Sequence, residues 1–211
     1  MQYRAAFLSY QAVFWQDGPS TFERNTGKLV EFAAEAKTQG ADIIVTPECA
    51  IAGFSGDPKS SWIEGGWYQQ WDADTNPCDY PSSFLDAPSL VSLSCAAKTN
   101  KIAIVANLPR LVGGNLYNTA IAFTESGELT SYAKQNLWGE AYYIDVPEGN
   151  NPKSFTTDFG VTFGLVICAD LIYNHPLLDL LADQNIRDFV APVAWSNEMV
   201  RQAERSEAAV W

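Results

Sequence analysis

Phe163–Tyr173 reads FGLVICADLIY. The apolar run from Phe163 to Ile167, broken only by Gly164, stops at Cys168, and Ala169-Asp170 follows. An apolar stretch of this length closed by a turn signal suits a strand buried on both faces, as in a parallel sheet. It would set a thiol at the strand's carboxyl end, where open α/β sheets build their sites. A lone cysteine in that setting is more often plain core packing. The case for chemistry therefore rests on what the rest of the chain brings to Cys168.

Working outward, Tyr117–Thr124 and Leu129–Lys134 flank Ser126-Gly127-Glu128 and read as a hairpin. Lys101–Leu108 (KIAIVANL) is a core strand, preceded by a helix over Pro88–Thr99. Asp42–Thr46 is a strand that stops at Pro47-Glu48, and Tyr3–Tyr10 a short buried strand. Between these two lies a helix, started by a capping box at Ser20-Thr-Phe-Glu23 and ended at Gly40. Phe22, Leu29, Val30, Ala33 and Ala36 form its apolar stripe. Strand–helix–strand in this order is a parallel pair with a crossover. After Cys168 come a helix over Pro176–Ala182, a buried strand over Phe189–Trp195 and the start of a helix over Asn197–Trp211. The fold class is α/β.

The stretch from Gly53 to Asp86 has little periodicity but holds Trp62, Trp67 and Trp71. Its aromatic content argues against disorder. Two readings stand: an ordered lid over a site, or an insertion packing its tryptophans on the domain surface.

The 211 residues carry a net charge of −12, 47% are hydrophobic and one is a histidine. The acidic balance argues against nucleic acid and anionic membrane surfaces as partners, and no stretch reaches the ~20 apolar residues of a membrane span. No secretory h-region precedes Tyr3, as expected of a mature or recombinant chain. A single histidine, His175, and no C-x-x-C make the usual zinc sites improbable. A nucleophilic Cys168 would have to use a carboxylate as its base. Glu48 follows one strand and Lys134 another, as Cys168 follows a third. Singly, an acid or a lysine after a strand is usually solvated. As a set they supply a base for the thiol, a fixed cation for a developing oxyanion and a nucleophile for a carbonyl carbon. Cys78 and Cys95 read either as two reduced thiols or as a bridge closing a loop worth ~3 kcal/mol, which would imply an oxidising compartment. No N-x-S/T acceptor occurs.

TPECAIAGF, YAKQNLWGE and FGLVICADLIY resemble the three signature blocks of the nitrilase superfamily of carbon–nitrogen hydrolases. Within it the chain is most similar to the vanin/biotinidase-like pantetheine hydrolase branch, supported by NPCDYP, LSCAAK, IVANLPR, YNTAIAF and VAPVAWSNE. The resemblance implies a four-layer α-β-β-α sandwich over residues 1–211 that is incomplete at its C-terminal end, with residues 54–86 as a lid or insertion. It implies an amidohydrolase of small linear amides that forms a cysteine thioester and uses no metal or cofactor. By the same resemblance Glu48 is the base, Lys134 the transition-state stabiliser and Cys168 the nucleophile. Glu140 positions the lysine, the Ala169 amide completes the oxyanion hole, and Tyr142 and Trp195 line the pocket. Asn118 takes a structural hydrogen-bonding role, and Asp170 is a helix-start or structural acid. The branch favours a Cys78–Cys95 bridge, a buried free Cys49 and an extracellular or secretory setting. Pantetheine or a similar amide is the expected substrate. The alternatives are a biotin-type amide or a retired binding module. A homo-oligomer or a missing C-terminal segment stays open.

Overall fold

The structure is a computed structural model in which residues 2–54, 57–149, 151–183 and 186–195 are described. The helix expected over Asn197–Trp211 lies outside them. Five strands form one sheet in the order β1 (Ala5–Phe7), β2 (Ile43–Val45), β3 (Ala103–Val112), β4 (Asn115–Phe123), β5 (Leu129–Ala133). β1, β2 and β3 run parallel, whereas β3–β4 and β4–β5 are antiparallel. A second sheet has the order β6 (Lys153–Thr156), β7 (Thr162–Leu165), β8 (Asp188–Val190), with β7 antiparallel to β6 and parallel to β8.

The period-two alternation of side chains explains how these sheets stack. Ile43 and Val45, Ala103 and Val105, and Ala120 and Ala122 point one way and meet Phe163, Leu165 and Ile167 of the β7 segment in a core between the sheets. Their neighbours Ile44, Ile104, Ile121 and Phe123 point the other way, onto α1 (Gly18–Thr38) and α3 (Pro88–Asn100). On the far side of the second sheet, Val166 and Phe189 pack on Leu180 of α4 (Leu177–Asp183). A Cβ at Gly164 would fall 2.7 Å from Phe189 and 3.0 Å from Leu180, so glycine there lets the helix layer close on the sheet. Helix, sheet, sheet and helix make the four layers, each apolar side chain in them contributing about 1.5–3 kcal/mol by burial.

Several expectations change in detail. The first strand is three residues long and lies at the sheet edge, where Phe7 is 78% exposed, so it is not a buried strand over Tyr3–Tyr10. Its helix starts at Gly18, because Asp17 caps it by accepting from the Ser20 amide. Ser20 is thus inside the first turn and is not the cap. β3 and β4 form a hairpin about Gly113-Gly114, both at positive φ, which extends β3 beyond Leu108. β6 was not expected. In the 53–86 stretch, Trp62 of α2 (Lys59–Glu64) is 1% exposed and Trp71 3%. Both lie within the helix-side core and not on the surface. Cys78 and Cys95 are joined by a disulfide, which pins this stretch to α3.

Candidate active site

Glu48, Lys134 and Cys168 lie just past the ends of β2, β5 and β7, strands that belong to two different sheets. The three side chains meet at one cavity of about 350 Å³, walled also by Glu140, Tyr143 and Ala194 and rimmed by Phe54, Trp138, Tyr142 and Trp195. That volume is at the small end for ligand pockets and suits a small molecule.

The Lys134 side chain is 1% exposed. Its Nζ donates to Glu48 Oε1 at 2.8 Å and to Glu140 Oε1 at 2.5 Å. A buried ammonium is tolerated only when paired in this way. Burial alone would lower its pKa, but the Glu48 charge and the hydrogen bonds to both carboxylates outweigh that, so the pKa is raised. Lys134 is therefore a permanent cation. Glu140 Oε2 in turn accepts from the Trp138 and Gly139 amides, at 3.0 and 2.9 Å. Burial pushes Glu140 up, yet the Lys134 and Gly139 hydrogen bonds hold it below the usual carboxylate range.

Glu48 is fixed from behind by a buried chain of amides. Asn118 Nδ2 donates to Glu48 Oε1 at 2.9 Å, and Asn107 Nδ2 donates to Asn118 Oδ1 at 2.6 Å. Asn107 Oδ1 accepts from the Cys49 amide at 2.7 Å, securing a residue at φ +56. Asn118 thus holds the carboxylate directly. Asn107, within β3, was missed because nothing in a strand's periodicity distinguishes it.

The segment following β8 spans both sheets. Val193 O accepts from the Glu48 amide at 3.2 Å and Pro192 O from the Cys168 amide at 3.0 Å. Cys168 has φ +43, a region costly for any residue with a Cβ. The sharp turn throws its thiol out of the strand toward Glu48, and Ala169-Asp170 begins a 3-10 turn directly after it. Asp170 clamps the turn. It accepts from Ile167 N at 3.0 Å, from Tyr132 Oη at 2.9 Å and from Asn136 N and Nδ2 at 2.9 and 2.8 Å. Tyr132 and Asn136 flank Lys134, so this carboxylate ties the Cys168 turn to the Lys134 segment. His175 Nδ1 pairs instead with Asp179 near the surface.

The family model for carbon-nitrogen hydrolases matches residues 5–209. The chain belongs to the carbon–nitrogen hydrolase family. Pantetheinase from Bos taurus is 31% identical over 208 residues, covering 86% of this chain and 38% of the relative. Biotinidase from Takifugu rubripes is 32% identical over 187 residues, covering 79% of this chain and 36% of the relative. The chain thus spans well under half the length of the curated relatives it matches. A crystal structure of an amidase from Nesterenkonia sp. superimposes with a TM-score of 0.69 at 21% identity, covering 95% of this chain and 68% of that one. It shares the fold.

In this carbon–nitrogen hydrolase the resting sulfur is a thiol. Burial and the neighbouring Glu48 carboxylate push Cys168 up to about 11, against smaller opposing effects of the Ala194 amide and Lys134. Alkylation of Cys168 by iodoacetamide should therefore accelerate roughly tenfold per pH unit from about pH 7 to about pH 10. A rate already flat at neutral pH, read by peptide mass spectrometry, would mean a preformed thiolate.

Proposed function

We propose that the chain hydrolyses small linear amides through a thioester on Cys168, with pantetheine-like amides as the first substrate class. The observation carrying this reading is the meeting of Glu48, Lys134 and Cys168, drawn from three strand ends, at one small cavity. As sulfur attacks the carbonyl carbon, the thiol proton passes to Glu48. The oxyanion is held by the Lys134 ammonium and the Ala169 amide, donors fixed before the charge develops. When the C–N bond breaks, Glu48 returns its proton to the departing amine. Water then gives a proton to Glu48 and attacks the thioester. The C–S bond breaks, the sulfur regains the proton and the acid leaves. Glu140 keeps Lys134 in place, and Tyr142 and Trp195 shape the entrance.

Pantetheinase relatives support the substrate class, and biotinidase relatives at similar identity keep biotin amides as a second one. The Cys78–Cys95 bridge supports an extracellular or secretory setting, where disulfides persist. Among the described residues no helix is long and apolar enough to cross a membrane.

The protein should be incubated with pantetheine and, separately, with a biotinyl amide, following amine release and intact mass. Amine release with a transient acyl adduct on Cys168 is the expected result. Neither release nor adduct with any amide would leave a retired binding module as the better reading.

A further inference from the structure

Two tyrosines are buried, and their hydroxyls have different fates. Tyr132 donates to Asp170 at 2.9 Å. Tyr143 is 4% exposed overall, and among the described residues its hydroxyl makes no hydrogen bond. Its oxygen is not one of the fully enclosed polar atoms left without a partner, so it stays accessible as a donor. Tyr143 lines the same cavity as Lys134 and Cys168.

Its ring is held firmly. It stacks on Trp62 with centroids 4.8 Å apart and planes 15° from parallel, and it meets the edge of Tyr142 at 4.8 Å. Its amide donates to Glu140 O at 3.0 Å. α2, which carries Trp62, is tied to the same loop by Lys59 Nζ on Asp145 Oδ2, an atom that also accepts from the Leu116 amide. The tryptophan-rich stretch thus fixes one wall of the cavity. Burial, followed by the nearby ionisable groups of Cys49, Glu140, Tyr142 and Glu48, raises the hydroxyl's pKa, so it remains a donor throughout the usable pH range.

We infer that the Tyr143 hydroxyl is a specificity determinant, donating a hydrogen bond to an oxygen acceptor (a carbonyl or hydroxyl) that the amide substrate carries beside its scissile bond. This rests on the proposed amide hydrolysis and adds which amides are preferred. A preorganised donor with no internal partner favours a ligand that supplies the acceptor and is left unsatisfied by one that does not.

The test compares wild type with Tyr143→Phe, which keeps the ring stack, on three amides of matched length. One has all-carbon arms, one an oxygen acceptor in the acyl arm and one an acceptor in the amine arm. The wild type should prefer at least one acceptor-bearing amide. In Tyr143→Phe the ratio of its kcat/KM to that of the all-carbon amide should fall about tenfold, mostly through KM, with Tm unchanged. A ratio within fivefold of wild type for both acceptor-bearing amides overturns the inference and leaves the hydrolase reading standing. A Tm lowered by several degrees would make the hydroxyl structural and overturn it as well. A wild type inactive on all three amides overturns both readings.

Discussion

Cys168→Ala should abolish amine release, a loss of about 10⁴-fold or more, while the protein stays folded. In the proposed mechanism the sulfur carries the acyl group, and Cys168 is the thiol among the described residues that line the cavity. Removing one buried sulfur costs about 1 kcal/mol of packing. Alanine at φ +43 bears the same Cβ strain as the cysteine, so the backbone does not confound the comparison. Circular dichroism should match wild type, Tm should fall by no more than about 2–4 °C, and substrate should still bind. Turnover within tenfold of wild type would refute the thioester route.

Lys134→Met should be harmful twice over. Activity should drop by about 10²–10³-fold or more, because a preorganised donor to the oxyanion is lost. Stability should fall by about 3–5 kcal/mol near neutral pH, because two buried carboxylates lose their shared cation. The two effects can be separated by pH. With the lysine hydrogen bond gone, burial becomes the leading influence on Glu140 and raises its folded-state pKa above the unfolded value. A raised carboxylate is stabilised relative to the unfolded chain below its unfolded pKa, and that benefit is lost as pH rises through the folded value. The stability deficit of Lys134→Met should therefore shrink on acidification into the carboxylate range while the activity deficit persists. Denaturant melts at several pH values, read beside initial rates, would check this. An activity within tenfold of wild type would remove Lys134 from the mechanism.

The geometry also explains why the lysine is worth its burial. In the proposed mechanism Glu48 accepts a proton while a second carboxylate, Glu140, sits on the same ammonium. Glu140 is already satisfied by the Trp138 and Gly139 amides, which leaves Glu48 to exchange protons with the thiol. The two acids are told apart by their backbone partners.

The sequence by itself determined the strands of the site and where they end, and the resemblance of its blocks implied the four layers. The apolar runs Ile43–Val45, Ala103–Ala106 and Phe163–Ile167 and the α1 stripe are local patterns with one physical meaning, burial in a core. They place Glu48, Lys134 and Cys168 at strand ends without any knowledge of neighbours, and the resemblance of their blocks supplied the roles. Tertiary structure alone decided how these ends meet. Glu48 and Lys134 follow strands of one sheet and Cys168 a strand of the other, and Asp170 and the Pro192–Val193 carbonyls help to register the two at the site. It also decided that Trp62 and Trp71 lie in the core, that Asn107 underpins Glu48 and that among the described residues the Tyr143 hydroxyl makes no hydrogen bond. These are properties of contacts between residues far apart in the chain. No periodicity encodes which buried polar atom will find a partner, because that depends on whatever the fold brings opposite it.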